Sequence, residues 1–379
     1  MKSIQPFKKP IYIIRPLLPP LREVYKKIKE IWKSKWLTNM GIQHQILEHE
    51  LMEYLDVPNL TLFCNGTLAL QLAYQALELK GEVITTPFTF PATINSLIQN
   101  NLKPIYCDIR LDNFNIDCDL IENLITPNTT AILPVHVFGN PCEIEKIEKV
   151  AKKYNLKIIY DAAHCFGITY KNRGIGNFGD VSMFSFHATK IFHTIEGGAL
   201  TYNDPDLKES FNLLKNFGIK NEEEVILPGI NAKMNELQAM IGLLTLHLVE
   251  DEIEKRKTLT AIYKENLKKI EGIQFLNENQ NVKYNYQYFP ILIDEKGYGL
   301  SRNLVYEKLK DYNVFSRKYF YPLCCDYQFN KSVSLMDLPI AKKIVNEILC
   351  LPLYGELREK EIVKICDILY YLQIKSNQN

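Results

Sequence analysis

The sequence predicts an α/β protein with a mainly parallel sheet flanked by helices, followed by a smaller C-terminal α+β domain. Three observations predict it. From about residue 59 to residue 200, β-rich and helical runs alternate, the pattern of strands joined by helical crossovers. The β-rich runs are nearly continuous in Val, Ile, Leu, Phe and Tyr, as expected of strands covered on both faces. From Asn235 a long helical region ends that alternation, and the remainder mixes strands and helices without strict order.

In chain order, a proline-rich arm precedes two amphipathic helices, Leu21–Trp32 and His44–Leu55. Asn59–Cys64 reads as a strand running into Asn65-Gly66-Thr67 and a helix from about Leu68 to Leu79. Strand-like Glu82–Thr86, a helix from Pro91 to Gln99, strand-like Lys103–Ile109 and a short helix near Leu120 follow. Strand-like Thr130–His136, a helix over Ile144–Tyr154, and the strands Lys157–Ala162 and Val181–Ser185 complete the set. The helical region Asn235–Ile270 holds the expected boundary near Thr245, dividing an arm and large domain (1–245) from a small domain (246–379). The small domain is read as a strand at Tyr286–Asp294 and helices at Ser301–Tyr312, Ile340–Glu347 and Glu359–Ile374.

Composition narrows the class. At 379 residues, with 46% apolar and 23% charged side chains, the chain is a globular protein of about two domains. A net charge of +1 argues against nucleic acid as the main partner, and no apolar run is long enough to span a bilayer. The first residues lack the pattern of a secretory signal. The nine cysteines are odd in number and include no C-x-x-C pair, so the expectation is reduced core thiols in a cytoplasmic protein, with no metal site.

Ligands of a parallel sheet gather at the carboxyl ends of its strands. There the apolar runs break into Asn65-Gly66-Thr67, Pro87–Phe90, Asp108, His136, Asp161–His164 and Ser185–Lys190. Each has an ordinary reading. Lys190 suits a solvated loop, Asp161 and Asn65 suit helix N-caps, and His164, Phe88 and Phe90 suit a core. Together they describe something else. Gly66, Thr67 and Ser185 offer donors for a phosphate at a helix N-terminus, and Phe88 or Phe90 a face for stacking. Asp161 offers a carboxylate that keeps a pyridine nitrogen protonated, with His164 able to reach the other side of that ring. Lys190 offers an amine that condenses with an aldehyde. These are the parts of a pyridoxal 5'-phosphate site.

The sequence also resembles the DegT/DnrJ/EryC1/StrS sugar aminotransferases, which are fold type I pyridoxal phosphate enzymes. The resemblance is carried by Trp36-Leu37-Thr38, Asn65-Gly66-Thr67, Pro87–Phe90, Pro134-Val135-His136 with Phe138-Gly139, and Asp161–His164. It continues through Ser185–Lys190 with Glu196-Gly197-Gly198, Gly229-Ile230-Asn231, and Tyr319–Leu323. It implies that Lys190 binds the cofactor covalently and then shuttles protons, that Asp161 pairs with the pyridine nitrogen, and that Phe90 stacks on the ring. It further implies that Asn231 reaches the phosphate of a neighbouring subunit in an obligate homodimer, and that Tyr319 and Arg317 face the sugar nucleotide. Two departures stand out: Asn65 where the family often has Ser, and Cys324 where many members have His.

The resemblance thus implies a transaminase with L-glutamate as donor and a dTDP-linked keto-6-deoxyhexose as acceptor, in surface polysaccharide synthesis. C4 of the 4-keto-6-deoxyglucose is the favoured carbon, with C3 of a 3-keto sugar open. Two alternatives are a sugar dehydratase of the same fold, whose relatives carry His in place of the lysine, and a regulatory protein that binds without turnover.

Overall fold

The computed structural model describes residues 4–330 and 337–376. Helices α1 (Leu21–Ser34) and α2 (Ile42–Leu55) precede β1 (Leu60–Phe63), α3 (Gly66–Ala76), β2 (Glu82–Thr85), α4 (Pro91–Gln99) and β3 (Lys103–Tyr106). Then come β4 (Thr129–Leu133), α5 (Ile144–Tyr154), β5 (Lys157–Asp161), the short β6 (Thr169–Tyr170) and β7 (Arg173–Gly174), β8 (Val181–Ser185) and β9 (Gly198–Tyr202). The region expected to hold a short helix near Leu120 is a 3-10 segment, Cys118–Leu124.

β1, β9, β8, β5, β4, β2 and β3 form one sheet in that spatial order. β8, β5, β4, β2 and β3 are mutually parallel, and β9 alone runs antiparallel to both its neighbours, which returns β1 to the common direction. The strands are buried almost throughout, which is why their sequences show apolar runs and no alternation. Gly198 of β9 is in register with both Phe63 and Ser185. The carboxyl ends of β1 and β8 therefore flank the start of β9.

After α6 (Leu207–Leu214), α7 (Glu236–Leu246) packs on α2, and α8 (Val249–Leu267) packs on the final helix. β10 (Ile273–Phe275), β12 (Phe289–Ile293) and β13 (Ile348–Leu351) form a second, antiparallel sheet, while β11 (Val282–Lys283) pairs with β6. This sheet is covered by α8, α10 (Arg302–Lys310) and α12 (Glu359–Ser376), with α9 (Glu295–Tyr298) and α11 (Pro339–Glu347) completing the unit. Phe7 and Ile11 of the arm are buried in this core beside Val314, so the arm packs on the C-terminal unit. Between the two sheets lies an aromatic layer in which Phe88 meets Phe114, Phe138 and Phe320 edge-on. Among the described residues no helix is long and apolar enough to cross a membrane.

Candidate active site

A cavity of about 330 Å³ opens at the carboxyl ends of the parallel strands, against the aromatic layer. Gly66, Thr67, Phe90, Asp161, His164, Ser185, Lys190, Arg317 and Tyr319 all line it. Asn231 does not; it is exposed and bridges to Asn216. Asp108 and His136, also at strand ends, serve the fold instead. The Asp108 carboxylate accepts the Ile340 and Ala341 N–H groups and so caps α11, while the buried His136 ring stacks on Tyr160. Phe88 is buried outright, and Phe90 is the aromatic face that reaches the cavity.

One end of the cavity is built for an anion. The helix expected from Leu68 begins two residues earlier, because the Asn65 side chain accepts the Leu68 N–H (2.8 Å) and caps α3. Gly66 and Thr67 are therefore the first two helical residues, whose N–H groups have no intrahelical partner. Close packing brings this helix end against the sheet. A Cβ on Gly198 would stand 2.6 Å from the Gly66 nitrogen, and one on Gly66 would stand 2.9 Å from the Met183 sulfur and 3.4 Å from the Ser185 Cβ. The helix N-terminus, the Thr67 hydroxyl and the Ser185 hydroxyl thus border one space.

Asp161 ends β5 with only 5% of its surface exposed. Thr93, in the first turn of α4, donates to its Oδ2 (2.7 Å), and the Ala163 N–H donates to Oδ1 (3.1 Å). Burial raises the carboxyl pKa, opposed by these two bonds and by the positive charge of Lys190. A buried carboxylate with room for one more partner on the cavity side is suited to a cationic ring nitrogen.

Lys190 sits in a turn after β8, where its N–H bonds the His187 carbonyl (2.8 Å). Its amine reaches into the cavity, 6.0 Å from the centre of the Tyr288 ring. Desolvation lowers its pKa to about 8, with the Asp161 charge pulling the other way. This is the condition of a nucleophile: a useful share of the amine is neutral near pH 7.

His164 is both a bonded core histidine and a residue of the cavity lining. Its Nδ1 accepts the Phe138 N–H (3.2 Å), its ring lies nearly parallel to Phe320, and it also forms the cavity wall. Burial holds its pKa well down, so the ring is neutral. At the mouth the exposed Arg317 guanidinium lies 4.4 Å from the Tyr319 ring centre. Cys324 lies outside the cavity; its buried thiol donates to the Thr89 carbonyl (3.3 Å).

Sequence reasoning missed three members. Thr93 orients Asp161 and is itself bonded to Thr89 (2.8 Å). The i, i+4 spacing of two threonines at a helix start was the available signal. Tyr288 stands edge-on to both His164 and Tyr319, inside a stretch legible only as strand. Gln287, beside it, makes no contact predictable from its neighbours in sequence.

The donor set fits pyridoxal phosphate: open N–H groups and two hydroxyls for the phosphate, a carboxylate for the ring nitrogen, and an amine for the aldehyde. Among the described residues no group of His, Cys, Asp and Glu could hold a metal ion.

The model of the DegT/DnrJ/EryC1/StrS aminotransferase family matches residues 21–370. A dTDP-4-amino-4,6-dideoxy-D-glucose transaminase of Escherichia coli is 45% identical over 95% of this chain and 98% of its own. The spore coat polysaccharide biosynthesis protein SpsC of Bacillus subtilis is 31% identical over 90% of this chain and 92% of its own. The crystal structure of DesI, determined in the presence of its TDP-sugar product, superimposes with a TM-score of 0.95 at 32% identity, covering 99% of this chain and 96% of that one. The fold is that of fold type I pyridoxal phosphate enzymes, and the chain belongs to the DegT/DnrJ/EryC1/StrS aminotransferase family, whose members are pyridoxal phosphate-dependent transaminases.

Proposed function

We propose that the protein moves an amino group from L-glutamate to C4 of a dTDP-linked 4-keto-6-deoxyglucose, releasing 2-oxoglutarate and a 4-amino-4,6-dideoxy sugar. The observation that carries this reading is the convergence of Lys190, Asp161 and the open N-terminus of α3 on one cavity whose mouth holds Arg317 and Tyr319. The named activity of the 45% identical relative supports the sugar and its nucleotide. The bound cofactor supplies an aldehyde for amine exchange and a ring that withdraws electrons. The chain's residues do the rest. Asp161 keeps the ring nitrogen charged, and Lys190 Nζ takes the proton from the donor's α-carbon in the first half-reaction and delivers one to the sugar carbon that receives the nitrogen in the second. Phe90 offers its face to the ring, the buried Tyr288 and Phe320 exclude water, and Arg317 and Tyr319 receive the nucleotide sugar.

The acting form is a homodimer in which Asn231 of each chain completes the other's phosphate site. The stretch 217–230 supports this: Phe217, Val225, Ile226 and Ile230 are all exposed, Val225 at 69%. The nine cysteines are all free, as suits a reducing cytoplasm, and the product is a sugar of the kind built into surface polysaccharides.

Adding glutamate to the purified holoprotein should bleach its visible band, and adding the keto sugar should restore it. NMR of the sugar product then shows whether C4 or C3 carries the nitrogen. A band that glutamate leaves unchanged rules out this donor. Co-expression of Lys190→Ala and Asn231→Ala chains should restore about a quarter of wild-type activity, because one of the two sites in a mixed pair holds both residues. Activity no greater than the mean of the two variants alone would exclude a shared site.

A further inference from the structure

We infer that Gln287 is a positioning residue for Lys190, through which the C-terminal unit fixes the peptide groups on both sides of the reactive lysine. The inference rests on Lys190 being the cofactor-binding amine. The segment from Phe186 to Gly197 is neither helix nor strand; backbone bonds close its ends (Phe186 N–H to Gly197, 2.8 Å, and Thr194 N–H to Phe186, 3.0 Å) and the Lys190 N–H bonds His187, while the Thr189 carbonyl and Ile191 N–H are met by a side chain. The Gln287 side chain takes that part. Its Oε1 accepts the Ile191 N–H (2.7 Å), and its Nε2 donates to the Thr189 carbonyl (3.0 Å). A primary amide presents one donor and one acceptor as a peptide does, so Gln287 pairs with the turn as a neighbouring strand would.

The clamp is itself anchored. Gln287 is 1% exposed, its N–H bonds Asn285 Oδ1 (3.0 Å), and its carbonyl accepts from Arg256 Nη1 (3.3 Å). Arg256 is held in turn by Glu252 (2.6 Å), which also accepts the Gly355 N–H (2.8 Å). Asn285 Nδ2 donates to the carbonyls of His164 (2.8 Å) and Phe166 (2.9 Å). One short segment of the C-terminal unit therefore grips the turn after β5 and the turn after β8, and places Tyr288 against the amine between them. Asn carries the same amide one carbon short, and Met fills the space without polar atoms; neither can bridge Thr189 and Ile191.

The test compares Gln287→Met and Gln287→Asn with Gln373→Met, which deletes the hydrogen bond from a buried glutamine to the Glu271 carbonyl (2.7 Å), where neither residue lines the cavity. Cofactor is stripped from the full-length protein, pyridoxal phosphate is added, and its attachment is timed by borohydride trapping and mass spectrometry of the Lys190 peptide. Hydrogen exchange of the peptide spanning Thr189–Ile191 is read alongside. The Gln287 variants should attach cofactor about tenfold more slowly or worse, with faster exchange at Ile191, while Gln373→Met attaches at the wild-type rate. Gln287→Asn serves if Gln287→Met fails to fold. Wild-type attachment in a folded Gln287 variant, or equal slowing in Gln373→Met, overturns the inference. Trapping of the wild-type protein at a lysine other than Lys190 overturns the reading beneath it instead.

Discussion

Lys190→Ala is expected to lower turnover by at least about four orders of magnitude while the folded protein still binds pyridoxal phosphate without a covalent bond. Two tasks vanish together in this variant, holding the cofactor and moving the proton, and no second amine among the described cavity-lining residues can replace the first. Borohydride treatment should then leave no cofactor on the chain, which mass spectrometry reads directly. Multiple turnover by Lys190→Ala would refute the assignment. The pH dependence follows from the same geometry. Burial brings the amine down from 10.5 to about 8, so roughly one molecule in ten carries a neutral amine at pH 7. Attachment of cofactor to the stripped wild-type protein should accelerate about tenfold per pH unit below 8 and level off above it. A profile flat between pH 6 and 9 would mean that another group reacts.

Asp161→Asn should lower kcat/KM by about a thousandfold, because a neutral amide cannot hold a ring nitrogen protonated. Stability should move the other way. The folded protein raises the Asp161 pKa by burial, so ionisation of this carboxyl weakens folding as the pH rises through the carboxylate range. The amide has no charge to desolvate. At neutral pH the cofactor-free variant should melt at or above the wild-type temperature, and the difference should fade on acidification, as calorimetry would register. A variant that is both inactive and clearly less stable would assign Asp161 to the fold. Thr93→Val removes the 2.7 Å bond to Oδ2 while preserving the carboxylate. Its loss should be about tenfold, recovered by Thr93→Ser, and accompanied by a shifted pH titration of the bound cofactor's absorbance.

Much of this site was legible because its parts are local. Asn65-Gly66-Thr67 joins a strand to a helix within three residues, so the sequence alone puts helix N–H groups at a strand end, although it does not show that the Asn65 cap starts the helix at Gly66. Lys190 and Asp161 each follow an apolar run, and a parallel sheet sends both ends to one edge. Phe88 and Phe90, by contrast, are equivalent by residue type, and in the sequence only the family resemblance separates them; the aromatic layer of Phe114, Phe138 and Phe320 is the physical reason that the first is core and the second faces the cavity. Asp108 and His136 met the same strand-end rule as Asp161, yet α11 and Tyr160 claim them. Which strand-end side chains face the cavity depends on what packs on each, the C-terminal helix α11 at Asp108 and the neighbouring strand's Tyr160 at His136.

The sequence by itself determined the fold class, the alternation of strands and helices up to β8 and the residue types that stand at the strand ends, since apolar runs and helix-start signals are properties of neighbouring residues. The tertiary structure decided how those groups are tuned and held. The lowered pKa of Lys190, the Thr93 bond to Asp161 and the Gln287 clamp arise from contacts between segments 68 to 98 residues apart, or from burial by both units at once. Burial and cross-chain hydrogen bonds depend on packing, which no local pattern encodes.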